Sequence, residues 1–168
     1  MSRVCRGTLR HMSDFVFERP LKRDRRAIAR LLLADMQEQG VPRTETELLV
    51  VSDLLLTASP DQVFCRVARE KKGGPAVGVV IANVVVSVKL AGCSVWLEHL
   101  YVDAEWRGRR LGRALVELVM DWAEETGKVG IELEAYQGNT PAGILYRSLG
   151  FGRLSRERYY FSFRWLDE

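Results

Sequence analysis

A long apolar stretch in the middle of the chain limits the folds that this sequence can adopt. From Ala76 to Val88 the residues are almost continuously apolar, and many are β-branched. Such a run is typical of a strand covered on both faces, because a strand with one solvated face alternates apolar and polar residues. The run is too short to cross a bilayer as a helix. It therefore predicts the central strand of a sheet with other elements packed on both sides.

The segments around this stretch predict the rest of the fold. Alternating patterns indicate further strands at residues 15–19, 63–68, 95–102, 129–136 and 159–165, and apolar stripes at helical spacing indicate four helices. Three consecutive strands are joined by short turns, which is typical of an antiparallel meander. The order β-α-α-β-β-β-α-β-α-β predicts one α+β domain around a mixed sheet, over residues 14–168.

Local residues predict where the helices begin and end. Asp24 and Thr140 are predicted N-caps, and the segment from Thr44 to Glu47 has the spacing of a capping box. Gly40 and Gly127 are expected to end the first and third helices. Residues 1–13 are expected to be a loosely ordered extension.

Composition excludes several classes of protein. The formal net charge of +3 over 168 residues is too small to argue for wrapping nucleic acid. The three cysteines have no CxxC spacing and there are only two histidines, so no metal site is predicted. An odd number of cysteines without a signal peptide favours reduced thiols and a cytoplasmic protein. No membrane span is predicted.

The stretch that follows the strand at residues 95–102 combines glycines, arginines and a helix start. Gly108 and Gly112 allow the backbone to approach a ligand closely, and the helix beginning near Leu111 points unpaired N–H groups at the same place. Four arginines could pair with phosphates: Arg107, Arg109, Arg110 and Arg113. We predict a site for a pyrophosphate-bearing cofactor at this corner. The alternative is a solvated basic turn before a helix.

Glu98 is a candidate general base inside that strand. In a straight strand it would share a face with Trp96, Leu100 and Val102, and apolar surroundings favour the neutral form of a carboxylic acid. The alternative is an exposed face, or a bulge that turns Glu98 to solvent. His99 would lie on the opposite face unless a bulge intervenes, and a lone histidine is more often structural than catalytic.

Further candidates lie on the C-terminal side. Tyr146, in the last predicted helix, is either a core residue or a general acid that protonates a departing thiolate. Asn139, just before that helix, could hydrogen-bond an amide-rich ligand or stabilise the turn. Glu132 and Glu134 share one strand face, which is either solvated or attracts a cationic substrate.

Together these segments resemble the GCN5-related N-acetyltransferase (GNAT) superfamily from about Phe15 to Trp165. Its pyrophosphate signature is Arg/Gln-x-x-Gly-x-Gly/Ala, and here the segment is Arg107-Gly-Arg-Arg110-Leu-Gly112, with an arginine at the first glycine. The sequence is most similar to the diamine acetyltransferases of the spermidine/spermine and thialysine type. Trp96-Leu-Glu-His-Leu-Tyr-Val102 resembles their Tyr-Leu-Glu-Asp-Phe-Phe-Val strand, and Asn139-Thr-Pro-Ala-Gly-Ile-Leu-Tyr146 resembles their Asn-x-Pro-x-x-x-x-Tyr segment.

The resemblance implies a mostly antiparallel sheet flanked by helices, and an acetyl-CoA-dependent N-acetyltransferase that needs no metal. It implies Glu98 as the base, through a water, and Tyr146 as the acid, with direct attack in a ternary complex. A homodimer built through the last strand is also expected. The residues expected to contact acetyl-CoA are Leu100, Tyr101, Val102, Arg107, Gly108, Arg109, Arg110, Leu111, Gly112, Arg113 and Asn139.

The acceptor is expected to be a primary amine of a small molecule, with diamine-like compounds as the leading candidates. His99 stands where the diamine group has an acidic residue, which removes a charge that would favour a polyamine. One alternative acceptor is the amino group of a peptide or an antibiotic. Two other classes are a non-catalytic acyl-CoA sensor and a nucleic-acid binder that uses the arginines, and the modest net charge argues against the second.

Overall fold

The computed structural model describes residues 14–136, 138–155 and 157–162, and it divides the chain into two compact units, Met1–Glu134 and Ala135–Glu168. Within its described residues the first unit contains five strands and three α-helices. The second contains one helix within its described residues. The single domain over residues 14–168 stays a prediction. In chain order the elements are β1 (Val16–Glu18), α1 (Arg25–Glu38), α2 (Glu45–Thr57), β2 (Val63–Arg69), β3 (Ala76–Ser87), β4 (Gly92–Val102), α3 (Leu111–Glu125), β5 (Ile131–Leu133) and α4 (Thr140–Ser148).

The five strands form one sheet in the order β1-β2-β3-β4-β5. The first four are antiparallel to their neighbours, and β5 pairs with β4 in parallel. This confirms the predicted mixed, mostly antiparallel sheet. The central strand is β3, whose residues Ala76 to Ala82 are all buried. The remainder of β3 becomes exposed, with Val86 84% exposed, so the prediction of a strand covered on both faces holds only for its first half.

Helices cover both faces of the sheet. On one face, α1 and α2 share a core with alternate residues of β2, β3 and β4. On the other face, α3 approaches closely: a Cβ added to Gly78 would lie 3.4 Å from Leu115 Cδ1, and the rings of Phe64 and Trp122 are 4.9 Å apart. The main contributors to the first core are Ile28, Leu31, Leu32, Leu48, Cys65, Val67, Val79, Ile81 and Tyr101.

The helix ends agree with the predictions in part. Thr44 and Glu47 form the predicted capping box, and Gly40 and Gly127 adopt φ of +69° and +68° just beyond α1 and α3. The prediction that Thr140 caps α4 is wrong, because Thr140 is its first helical residue.

Asn139 caps α4 instead, since its side chain accepts a hydrogen bond from the Ala142 N–H.

Two predicted strands also differ from the structure. The strand predicted at residues 129–136 is limited to β5, and residues 159–162 have no strand assignment. The remaining residues of that last predicted strand, 163–165, lie outside the described residues.

Asp24 does not cap α1 with its side chain, contrary to prediction, because its carboxylate is used elsewhere. It lies 2.7 Å from Arg69 Nη2 and accepts a hydrogen bond from the Leu21 N–H. Both charged side chains are almost fully buried, at 6% and 3% exposure. Arg69 also donates to the Gly74 carbonyl and contacts Glu18. This buried ion pair joins the start of α1 to the first two strands and the β2–β3 turn.

Asp24→Ala should lower the free energy of unfolding by about 3 kcal/mol, because it leaves a buried guanidinium without its best anionic partner. Urea unfolding at neutral pH measures the change. The matched control is Asp53→Ala, which breaks the exposed Arg25–Asp53 pair. Exposed pairs contribute little, so the control should unfold close to the wild-type midpoint. Equal losses in the two variants would contradict the role of the buried pair.

Candidate active site

A bulge in β4 places Glu98 outside the regular strand pairing. Ile81 of β3 is paired with His99 and the next residue, Ala82, with Leu97, so Glu98 is the extra residue between two consecutive partners. Its side chain is exposed. The prediction of a straight strand with Glu98 among large apolar side chains is therefore wrong. The alternative, a bulge that turns Glu98 to solvent, is what the structure contains.

The bulge also decides which side chains of β4 face α1. Beyond Glu98, Tyr101 donates its hydroxyl hydrogen to Glu38 Oε1 at 2.8 Å, and His99 Nε2 lies 3.2 Å from Asp35 Oδ2. Both partners belong to the C-terminal half of α1. A polar region between α1 and β4 thus begins at the bulge.

The parallel pairing of β4 and β5 stops at the same place. The two strands pair only from Val95 with Ile131 to Leu97 with Leu133, whereas β4 continues in pairing with β3 as far as Val102. No strand within the described residues pairs with the other edge of β4 beyond Leu97. Such an edge presents backbone N–H and C=O groups to which an extended, amide-containing ligand can pair as an added strand. The residues predicted to contact acetyl-CoA through their backbone, Leu100 to Val102, lie on this segment.

The Arg/Gly corner leads from β4 into the N-terminus of α3. Gly108 has φ +76° and Arg110, the N-cap of α3, has φ +63°. No side-chain capping hydrogen bond is made by Arg110, and the first turn contains no acidic residue. The N–H groups of Leu111 to Arg113 lie in the first turn of a long helix, where no intrahelical acceptor exists. This N-terminus has the partial positive charge and the donors that bind phosphate.

Arg110 occupies the position of the signature's first glycine and keeps the left-handed backbone that glycine adopts most easily. Arg110 thus adopts a conformation in which a glycine would be unstrained. An L residue in this region carries a strain of about 1–2 kcal/mol. Arg109 and Arg110 are both exposed, and the Arg109 guanidinium lies 4.7 Å from the centre of the Trp106 ring.

Arg107 contacts the protein itself rather than pointing into open solvent. Its Nε donates to the Val102 carbonyl at 2.9 Å, and its Nη2 donates to both carboxylate oxygens of Glu38 at 2.8 Å. Its guanidinium also lies 5.3 Å from the centre of the Tyr101 ring. Arg113, in the first turn of α3, contacts Glu117 at 3.3 Å. The predicted pairing of all four arginines with phosphate stays a prediction. Three of them contact the protein itself, Arg107 and Arg113 through carboxylates and Arg109 through the Trp106 ring.

Glu38 connects α1 to the corner, and sequence reasoning did not single it out. Burial acts to raise the pKa of Glu38, but the hydrogen bonds from Tyr101 and Arg107 lower it below its ordinary value. Burial and the bond to Glu38 raise the pKa of Tyr101 to about 12. A glutamate near the end of an amphipathic helix carries no signal for such a role. Its partners come from residues far along the chain.

His99 and Asp35 form a second contact between β4 and α1. Their side chains are 14% and 13% exposed. Gln39 donates to Asp35 Oδ2 at 2.6 Å. The His99 Nε2 atom is close to the carboxylate but not aligned for a hydrogen bond, and among the described residues it has no other partner. Their interaction is therefore Coulombic.

The second unit contains the other two predicted site residues. The Asn139 side chain caps α4 through the Ala142 N–H at 3.2 Å, so the predicted turn-stabilising role is observed. Tyr146 is buried, packs edge-on against Phe151 with ring centres 5.8 Å apart, and accepts a backbone hydrogen bond from the Phe151 N–H. The assignment of Tyr146 as a general acid stays a prediction.

Comparison with known proteins identifies the family. The acetyltransferase (GNAT) family model matches residues 25–151, which include the bulged strand, the corner and α3. The chain belongs to the GNAT acetyltransferase family, and the predicted resemblance is confirmed.

Curated relatives match over shorter segments. The ribosomal protein bS18-alanine N-acetyltransferase of Escherichia coli (strain K12) is 37% identical over 65 residues, which are 39% of this chain and 44% of that protein. The thialysine N-epsilon-acetyltransferase of Sus scrofa is 31% identical over 77 residues, 46% of this chain and 45% of that protein. The chain thus matches less than half the length of these curated relatives.

Solved structures match nearly the whole chain. A possible acetyltransferase from Clostridium difficile 630 has a TM-score of 0.76 at 19% identity, over 88% of this chain and 97% of that chain. The aminoglycoside N-acetyltransferase AAC(6')-Iy in complex with CoA has a TM-score of 0.71 at 19% identity, over 89% and 95%. At these identities the likeness shows the fold, and the predicted fold class is confirmed.

Within residues 14–136, 138–155 and 157–162, no three His, Cys, Asp or Glu side chains are grouped so that they could hold a metal ion. In the same part of the chain no helix is long and apolar enough to cross a membrane.

Arg110→Gly should raise the free energy of unfolding by about 1 kcal/mol. Glycine relieves the strain of the left-handed backbone, and its greater conformational freedom in the unfolded state cancels only part of that gain. The matched control is Arg109→Gly, which removes the same charge where φ is not positive. There glycine should lower stability by up to about 1 kcal/mol. Urea unfolding of both variants gives the two signs. A loss of stability in both would contradict the left-handed conformation of Arg110.

Proposed function

We propose that the protein is an acetyl-CoA-dependent N-acetyltransferase that transfers the acetyl group to a primary amine of a small molecule. One observation carries the proposal: the open edge of β4 beyond the bulge is followed, across a short 3-10 turn and the Arg/Gly corner, by the N-terminus of α3, which has no side-chain cap. An extended edge followed by a phosphate-binding helix start fits a long ligand that has amides at one end and a pyrophosphate at the other. Membership of the GNAT family supports acetyl-CoA as that ligand.

The backbone supplies most of the contacts to acetyl-CoA in this proposal. The pyrophosphate is held by the N–H groups of Leu111 to Arg113, with Gly108 and Arg110 shaping the turn. Exposed arginines at the corner, Arg109 and Arg110, add positive charge. The pantetheine amides pair with the backbone of Leu100 to Val102. Asn139 is assigned as a further contact on the sequence resemblance alone.

The chemistry is a direct attack of a neutral amine on the thioester. Most primary amines are protonated at neutral pH, so a base must accept a proton, and we assign this role to Glu98. Its exposed position at the bulge suits proton transfer through a water molecule. A backbone N–H near Leu100 or Tyr101 polarises the acetyl carbonyl. Tyr146 protonates the departing thiolate, an assignment that rests on its sequence segment.

The acceptor class is supported by charge. Asp35, Glu38 and Glu98 lie along the same end of β4 and α1, and Arg107 is the cation that the structure pairs with Glu38. The remaining negative charge favours an acceptor that arrives as an ammonium ion. Diamine-like compounds are the leading candidates. Relatives are named for thialysine, for the alanine of a ribosomal protein and for streptothricin, so an amino group of a peptide or an antibiotic is the second candidate.

Two further predictions belong to the proposal. A cytoplasmic location follows from the cysteine pattern alone. A homodimer formed through the C-terminal segment is supported by its exposed aromatic residues, with Tyr159, Tyr160 and Phe161 each about four-fifths exposed.

The proposed function is tested by incubating the purified protein with acetyl-CoA and a panel of diamines, amino acids, peptides and aminoglycosides. Thiol release and mass spectrometry should show one acetyl group added to an amine and one coenzyme A released per turnover. Isothermal titration with coenzyme A tests the cofactor separately. Binding without transfer to any amine would favour a non-catalytic acyl-CoA sensor, and absence of binding would reject the proposal.

Glu98→Gln should lower kcat by about 100-fold or more, because a positioned base typically contributes 10²–10⁴-fold, while the affinity for acetyl-CoA stays close to that of the wild type. Tyr146→Phe should also lower kcat, since it removes the acidic hydrogen. Steady-state kinetics with the best acceptor measure both. Glu105→Gln, an exposed substitution of the same type, is the control. An unchanged kcat in either variant would withdraw the role of that residue.

A further inference from the structure

We propose that His99 and Asp35 form a proton-accepting pair that takes, through Glu98, the proton that the acceptor amine must lose. The inference rests on the proposed function, because it concerns the same acetyl transfer. In this arrangement Glu98 contacts the reacting amine through water. His99 and Asp35 act behind it, and Asp35 is a positioning residue.

The geometry of the pair is unusual for a contact with a purely structural role. A buried imidazole nitrogen and a buried carboxylate face each other at 3.2 Å from two different elements, β4 and α1. Nevertheless, they are not aligned for a hydrogen bond, and within the described chain His99 Nε2 has no other hydrogen-bond partner. Buried polar atoms without partners are rare and costly, and they cluster where chemistry needs them.

The position of the pair connects it to the proposed base. His99 directly follows Glu98 at the bulge, and the negative charge of Glu98 acts on the imidazole. On the far side, the Asp35 carboxylate is fixed by the hydrogen bond from Gln39. His99 is thus the residue next to the proposed base in the chain, and its buried imidazole lies 3.2 Å from Asp35.

The electrostatics allow the imidazole to accept a proton. Burial lowers the pKa of His99 below its ordinary value, against the opposing effects of Asp35 and Glu98, so the imidazole is neutral at neutral pH. Burial raises the pKa of Asp35, and Glu38 adds to the rise, while His99, Gln39 and Arg107 act in the other direction. These are the charged and polar groups that α1, β4 and the corner direct at the pair. A neutral base beside a carboxylate can hold one extra proton.

The proton that the pair takes is the first of the two that the ammonium loses. The second leaves the nitrogen as the C–N bond forms and the C–S bond breaks, and it replaces the proton that Tyr146 gives to the thiolate. An N–H bond of the ammonium breaks and an O–H bond forms on Glu98, by way of a water. That O–H bond then breaks as an N–H bond forms on His99, and Asp35 stabilises the imidazolium without being protonated. After the amide product leaves, His99 returns the proton to bulk water. No oxidant, reductant or further reactant takes part.

The test compares pH profiles of kcat/KM for the wild type, Asp35→Asn and His99→Gln. In the wild type the acid limb reports protonation of the pair. Asp35→Asn removes a charge that raises the pKa of His99, so its acid limb should move to lower pH and its kcat should fall about tenfold. His99→Gln should lose that limb. Asp35→Glu keeps the carboxylate, so its acid limb and its kcat should be closer to those of the wild type than the values of Asp35→Asn are.

A matched control separates this effect from general damage to α1. Asp53→Asn removes a carboxylate from an exposed pair with Arg25, the first residue of α1. Arg25 lies about 15 Å from Asp35 along the helix axis at the usual helical rise. The control should keep the wild-type pH profile. The ionisation of the substrate amine is the same for every variant, so a shift between variants belongs to the protein.

A second measurement holds even where a variant loses activity. The chain has two histidines, so proton NMR of the imidazole signals can be assigned with a His11→Gln variant. The titration of His99 should move to lower pH in Asp35→Asn. The proposed pair would be overturned if Asp35→Asn and His99→Gln were active with the acid limb of the wild type. It would also be overturned if the titration of His99 were the same in the wild type and in Asp35→Asn. Either result would leave the proposed function intact. A wild type that binds acetyl-CoA but acetylates no amine at any pH overturns both.

Discussion

The extra residue in β4 is the constraint on which the rest of the site depends. Side chains alternate along a strand, so a single inserted residue exchanges the two faces of everything beyond it. Without the insertion at Glu98, Leu97 and His99 would lie on one face. With it, Leu97 is paired with Ala82, and His99 and Tyr101 turn to α1. The pairing with β5 ends at the same place, so the polar region and the open edge both begin at the bulge.

The polar contacts of α1 convert this local irregularity into a connected structure. Glu38 holds Tyr101 of β4 and Arg107 of the corner with one carboxylate, while Arg107 also binds the Val102 carbonyl. The start of the proposed phosphate site is thus fixed relative to the helix that carries Asp35. Arg107 contributes by holding the backbone of the corner, whereas Arg109 lies against the Trp106 ring and Arg110 is exposed.

The sequence predicted the elements of the fold better than the contacts between side chains. Apolar patterning and capping residues identified most elements, because burial and unpaired backbone groups impose them locally. No residue type demands a β-bulge, and a bulge depends on pairing with a distant strand. The sequence around Glu98 therefore does not decide between a straight strand and a bulge. The predicted capping role of Asp24 is wrong for a similar reason. Its carboxylate could cap a helix, but it pairs instead with Arg69, far along the chain. Asp35 and Glu38 have no local motif at all.

The left-handed backbone at Arg110 has a consequence for the rate at which a polyanion arrives. Glycine would give the same turn with less strain but no charge, whereas arginine places a cation at the mouth of the helix N-terminus. Opposite charges at an entrance steer diffusing ligands and raise association rates, and the effect weakens as ionic strength screens the field. The proposed capture of coenzyme A should therefore be fast in dilute buffer and slow with added salt, while its dissociation changes much less. In the proposed site, the residue under conformational strain is also the one that adds charge at the entrance.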